Sequence, residues 1–90
     1  MKPVRWSAHA LDNLLDREID RTEVEISLKN PDFEVPGKAS RRVLMRRYFD
    51  NVLKQKMLLR IVLEEIISEI VVITVYKTSQ IHKYLKGLET

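Results

Sequence analysis

The segment Ile70-Val71-Val72-Ile73-Thr74-Val75-Tyr76 constrains the fold more than any other stretch of this chain. All but the last of these side chains branch at Cβ. Such residues are stiff at χ1 and crowd the preceding turn of a helix, whereas a pleated strand accommodates them. The segment therefore reads as a strand, and a strand needs a partner. Upstream, Met57, Leu59, Ile61 and Leu63 alternate with other residues and carry no charge, which gives residues 56–65 one apolar face. We read 56–65 and 68–78 as the two strands of a hairpin. Against this, Leu63, Ile66, Ile67 and Ile70 also match helical spacing, and the turn lacks the usual Asn-Gly or Asp-Gly. Alternation predicts that Val71, Ile73 and Val75 join the apolar face, while Arg60, Glu64, Thr74 and Tyr76 point the other way.

Two more extended stretches precede the hairpin. Phe33 and Val35 alternate with polar neighbours up to a Pro36-Gly37 turn, and 41–49 alternates up to an Asp50-Asn51 turn. Within 41–49, Arg46 and Tyr48 share one face, and Arg47 and Phe49 share the other. The first third reads as helix. Ser7 is a good N-cap for a helix over 8–17, with Ala8, Leu11, Leu14 and Leu15 on one side and His9, Asn13, Asp16 and Arg17 roughly opposite. Asp20 and Glu23 form a capping-box pattern, Ile19 and Val24 fit a hydrophobic staple, and Asn30-Pro31 ends the second helix. Residues from about 79 read as a short terminal helix or a mobile tail. The organisation is a single α+β domain over 1–90, with paired N-terminal helices on an antiparallel sheet.

Several functions are excluded by what the chain lacks. It has no cysteine and only two glycines in 90 residues, so thiolate chemistry, disulfides and glycine-rich phosphate loops are out. Arg60, Glu64, Glu65 and Glu69 interrupt the apolar stretch 57–76, which cannot cross a membrane as a helix. The first residues lack the apolar stretch of a signal peptide, and the expected location is cytoplasmic. Net charge is only +3. Its distribution says more: Arg41, Arg42, Arg46, Arg47, Lys54, Lys56 and Arg60 crowd the middle of the chain, opposed there only by Asp50. Such a cluster suits a polyanion such as RNA, or an acidic protein; the plain alternative is a solvated face.

His9-Ala10, Arg17-Glu18-Ile19, Glu23-Val24-Glu25, Asn30-Pro31-Asp32 and the run from Val72 to Thr78 together resemble a family of small prokaryotic domains. That family is grouped with the RelE-like toxins, the broad set that includes the BrnT toxins. The resemblance spans Trp6 to Tyr84. It implies a RelE-like α+β fold: two N-terminal helices packed on one face of a roughly four-stranded antiparallel sheet. It also implies action on RNA, ribosome-associated or free, as a metal-independent endoribonuclease toxin, and pairing with an antitoxin protein. The alternative is a non-catalytic protein- or nucleic-acid-binding module of the same fold. The 65–69 turn lacks the Gly or Asn of the family pattern.

Metal-free RNA cleavage needs a group to activate the 2′-hydroxyl, cations to stabilise the phosphorane, and a donor for the leaving 5′-oxygen. His9, in a first helical turn that favours neutral imidazole, is the candidate base, or else a histidine fixing the helix pair. Arg46 and Arg60 are the candidate charge stabilisers, and Tyr76 the stacking or proton-donating partner. Arg17, Arg42, Arg47 and Tyr48 are the candidate substrate-binding residues, with Arg17 also placed to cap the first helix. The two histidines and scattered acids have no metal-ligand spacing, and no cofactor is expected.

Overall fold

The computed structural model describes residues 2–88. The elements run β1 (Val4–Trp6), α1 (Ala8–Asp16), α2 (Arg21–Lys29), β2 (Phe33–Pro36), β3 (Arg41–Asp50), β4 (Gln55–Glu65), β5 (Ile70–Thr78) and α3 (Ile81–Leu85). The strands form one sheet in the order β1-β5-β4-β3-β2. Three of the pairings are antiparallel, but β1 lies parallel to β5, with Val4 opposite Ile70 and Trp6 opposite Val72. The expectation of a four-stranded antiparallel sheet with two helices is thus corrected to a five-stranded mixed sheet with three helices. The overlooked strand has three residues, too few for alternation to register. It exists because β5 offers it an edge: Ile70 donates its amide to the Pro3 carbonyl, and Ser7 donates to the Val72 carbonyl.

One face of the sheet carries α1 and α2, and the other carries α3. Met57, Leu59, Ile61 and Leu63 do face α1 and α2, in one buried cluster with Leu44, Ile70, Val72, Val75 and the staple residues Ile19 and Val24. Each such fully buried aliphatic side chain contributes about 1.5–3 kcal/mol. A smaller cluster on the opposite face joins Val43, Met45, Leu58 and Leu85, with Ile81 and Tyr84 packed against it. The tail from 79 is therefore helical at 81–85. Strand β5 departs from simple alternation. Val62 pairs with Thr74 but Leu63 pairs with Val72, so Ile73 is an inserted bulge residue. The insertion moves Val71 off the helix face, where alternation had placed it, and leaves Val75 on it.

The helix starts follow from their caps. Ser7 Oγ accepts the Ala10 amide at 3.0 Å, and Asp20 Oδ1 accepts the Thr22 amide at 2.8 Å. Arg21, the first residue of α2, lays its guanidinium 4.7 Å over the Trp6 ring of β1. Helix α1 does not present the face its leucines suggest. Leu14 packs against the core as expected, but Leu11 and Leu15 are exposed, while Ala10 and Asn13 are buried. The reason is the open edge of β5 beyond the point where β1 ends. Asn13 Oδ1 accepts the Val75 amide at 3.0 Å and the Thr74 hydroxyl at 2.7 Å. One turn on, Arg17 Nη1 donates to the Val75 carbonyl at 2.9 Å. A buried, unpaired strand amide is costly, and it turns the helix wheel toward its polar side.

This edge seal yields a stability prediction. Asn13→Ala strands the Val75 amide without its acceptor and should cost about 1–3 kcal/mol. His9→Ala, on the exposed side of the same helix, should stay within about 0.5 kcal/mol of the parent. Urea unfolding of both variants checks this. An Asn13→Ala protein as stable as the parent would show that the edge is satisfied some other way.

Candidate nucleic-acid interface

On the face bearing α3, strand register lines up Phe33, Met45, Arg60 and Tyr76 in one row across four strands. Arg60 is the charged member of an otherwise uncharged row. Its Nη1 donates to the Tyr76 hydroxyl. Helix α3, anchored by Leu85, brings Tyr84 over the same guanidinium. The Arg60 Cζ lies 4.3 Å from the Tyr84 ring centre and 5.2 Å from that of Tyr76, and the two rings meet edge to face at 6.5 Å. Each guanidinium–ring contact of this kind contributes about 0.5–2 kcal/mol, rising with desolvation.

Arg60 has no carboxylate partner among the described residues, and its Nε is buried without any hydrogen bond. Burial pulls the guanidinium below its ordinary pKa, and the Tyr84 phenol offsets part of that pull. The group is a half-buried cation whose charge the protein leaves uncompensated. It borders an open groove of about 400 Å³ that Val35, Val43 and Val62 floor and Lys38 and Arg41 flank. Neither Lys38 nor Arg41 is in an ion pair among the described residues. The three cations give the groove the means to hold an anion, and the Tyr76 and Tyr84 rings stand against Arg60 at its border.

The other residues singled out from sequence lie elsewhere. Arg47 shares the α3 face, where it sits over the Phe33 ring at 5.7 Å and beside Asp32. Arg42 and Arg46 belong to the helix face, and carboxylates already neutralise them. Arg42 donates to Glu34 and to Glu65, each at 2.9 Å. Arg46 holds Ser27 Oγ at 2.8 Å and pairs with Glu23, whose carboxylate is thereby drawn off the capping box. The sheet therefore separates Arg46 from Arg60 and Tyr76. Arg17 is spent on the β5 edge. His9 is exposed and makes no hydrogen bond or ion pair among the described residues. The structure brings together Arg60 and Tyr76 out of the expected catalytic four, and adds Tyr84, Lys38 and Arg41. Tyr84 had a legible signal, because Ile81, Tyr84 and Leu85 follow helical spacing.

A second polar group lies under α1 and α2. Tyr48 donates to Asp50 at 3.1 Å, and Lys77 donates to the same carboxylate at 2.7 Å. Lys77 and Asp50 are both nearly inaccessible, with side chains 9% and 5% exposed. Burial by itself pushes the Asp50 carboxyl up, but the Lys77 ammonium, the Leu53 and Val52 amides and the Tyr48 hydroxyl outweigh it and hold the group at about 2. Burial and the neighbouring carboxylate push the Tyr48 phenol up, so it stays protonated. A pair this dry locks geometry, since removing either partner strands a buried charge.

The fold and this groove define a small α+β domain with a basic, aromatic sheet face. The chain belongs to the DUF4258 family, a domain of unknown function, whose model matches residues 6–77. No curated protein and no solved structure matches it. Among the described residues, no helix is long and apolar enough to cross a membrane.

The Asp50 pair predicts an acid limb of defined position. Its folded value lies below the ordinary 3.8, so its stabilisation is complete above that pH and disappears as pH falls toward about 2. Asp50→Asn should cost about 3–5 kcal/mol at neutral pH by leaving Lys77 unpaired. It should also flatten the loss of stability below pH 4. Denaturant titrations at stepped pH measure both. An unchanged slope would mean that other carboxylates govern acid unfolding.

Proposed function

We propose that this is an RNA-directed domain that binds a single-stranded segment across the α3 face of its sheet, with Arg60 at the centre. The observation that carries the reading is the lone guanidinium. Arg60 is half-buried, packed against the Tyr76 and Tyr84 rings, and has no acid to neutralise it among the described residues. Such a cation is ready for a phosphate, which it can hold in bidentate fashion. Lys38 and Arg41 extend the positive track along the groove. The phenol rings offer faces on which a base can stack, a contact worth about 1–3 kcal/mol per base. The likeness of the quoted segments to RelE and BrnT toxins favours RNA as the polyanion. The setting that goes with this ligand is the cytoplasm.

Cleavage is the second reading, favoured by the Arg60–Tyr76 contact. It sets a cation beside a hydroxyl donor. In a transesterification the 2′-hydroxyl would lose its proton to bulk water and its oxygen would bond to phosphorus while the bond to the 5′-oxygen breaks. Arg60 would stabilise the added charge and Tyr76 would hand its proton to the departing oxygen. No carboxylate or imidazole among the described residues touches this pair, so the activating base has no assigned residue. Binding is accordingly the primary reading.

Fluorescence anisotropy with a labelled single-stranded RNA tests it. Affinity should fall with salt at a slope of about −0.7 per phosphate contact. Arg60→Ala should lose about tenfold in affinity, as expected for a charged hydrogen-bonded contact. Lys38→Glu with Arg41→Glu should weaken binding and flatten the salt slope without lowering Tm. No binding at low salt, or binding indifferent to both sets of changes, would overturn the proposal. Incubation with total RNA, with and without a chelator, decides the second reading. Cleavage that persists with chelator and disappears in Tyr76→Phe supports it.

A further inference from the structure

The end of the molecule where β3 turns into β4 holds a concentration of apolar side chains in water. Phe49, Val52 and Leu53 are 54%, 65% and 45% exposed. Two loops build this end, the hairpin turn at 51–54 and the α1–α2 connection at 17–20. Lys77 fastens one to the other. Its Nζ donates to the Asp50 carboxylate at 2.7 Å and to the Glu18 carbonyl at 2.9 Å. Asp50 in turn accepts the amides of Val52 and Leu53, each at 2.9 Å. Phe49, Val52 and Glu18 line one shallow cleft. The exposed apolar groups thus stand on a rigid base.

Both loops also hold a non-glycine residue in the left-handed region, Glu18 at φ 51° and Lys54 at φ 57°. Such strain persists only where the surroundings enforce it, and it concentrates at working surfaces. The charges around the patch are of both signs. Lys54 and Lys56 on the hairpin side, and Asp16 and Glu18 on the other, have no ion-pair partner among the described residues.

We propose that this end is the surface through which two copies of the chain associate. A two-fold pair requires a patch complementary to itself. An apolar centre flanked by free cations on one side and free anions on the other meets that requirement. About the axis, Phe49, Val52 and Leu53 of each copy cover those of its mate, and the Lys54 side of one faces the Glu18 side of the other. A strongly acidic or strongly basic partner would instead be matched by a rim of one sign. This surface shares no residue with the Arg60 groove, and the proposal does not depend on RNA binding.

Sedimentation velocity of the full chain over a micromolar concentration series is the test. The expected result is a reversible monomer–dimer equilibrium in the micromolar range, as small interfaces give. Val52→Asp should raise the dissociation constant at least about tenfold. Its Tm at a concentration where the parent is monomeric should not change, because Val52 is already exposed in one copy. Lys54→Glu and Glu18→Lys should each weaken the pair, and both together in one chain should restore it. A monomer at every concentration overturns the proposal. So does a dimer unmoved by Val52→Asp, which would place self-association elsewhere.

Discussion

Strand β5 is the element on which the rest of this structure depends, because both of its edges and both of its faces are claimed. Its inner edge pairs with β4 throughout. Its outer edge is divided at the Ile73 bulge. Before the bulge, β1 takes the backbone groups as a parallel strand. After it, no strand remains, and α1 supplies side chains instead, with Asn13 and Arg17 standing in for a neighbour's amides and carbonyls. The bulge also sets which side chains face which layer. It lets Val72 and Val75 both reach the helix-side core, while Tyr76 turns to the opposite face beside Arg60.

That dependence explains which parts of the fold were legible in the sequence. Local signals were strong wherever one residue satisfies its own neighbourhood. Ser7 and Asp20 cap the helices as their chemistry dictates, and the alternation in 57–63 marks the buried face. Features that exist for a distant partner left little trace. Val4–Trp6 becomes a strand only against β5. The leucines of α1 suggested one buried side, but the amide of Val75, far along the chain, turned the helix so that Asn13 is buried and Leu11 and Leu15 are exposed. A bulge is likewise a property of a pair of strands, and Ile73 looks no different from its neighbours in sequence.

The candidate site was legible to the same extent and for the same reason. Alternation alone put Arg60 and Tyr76 on one face, and cross-strand register makes them direct neighbours. It could not relate β3 to β4, so Arg46 and Arg60 looked like members of one set although the sheet lies between them. Lys38 of the loop before β3, Arg41 at the start of β3 and Tyr84 of α3 could not be placed beside Arg60 without the tertiary fold. Their place around Arg60 therefore entered only with the structure.

The arginines of the central cluster look alike in composition and differ in what surrounds them. Arg42 meets two carboxylates and Arg46 one, so each is close to electrically neutral within its surroundings. An anion arriving at either must first displace an acid that is already well placed. Arg60 has phenol rings where the others have carboxylates. The rings stabilise the cation through their quadrupoles without neutralising it, so its field still reaches the groove. Partial burial strengthens that field by lowering the local dielectric. A dense run of basic residues is thus a poor guide to a binding site by itself. The informative cation is the one that the fold shelters from water and leaves without an acid, and here a five-residue helix supplies the ring that completes the shelter.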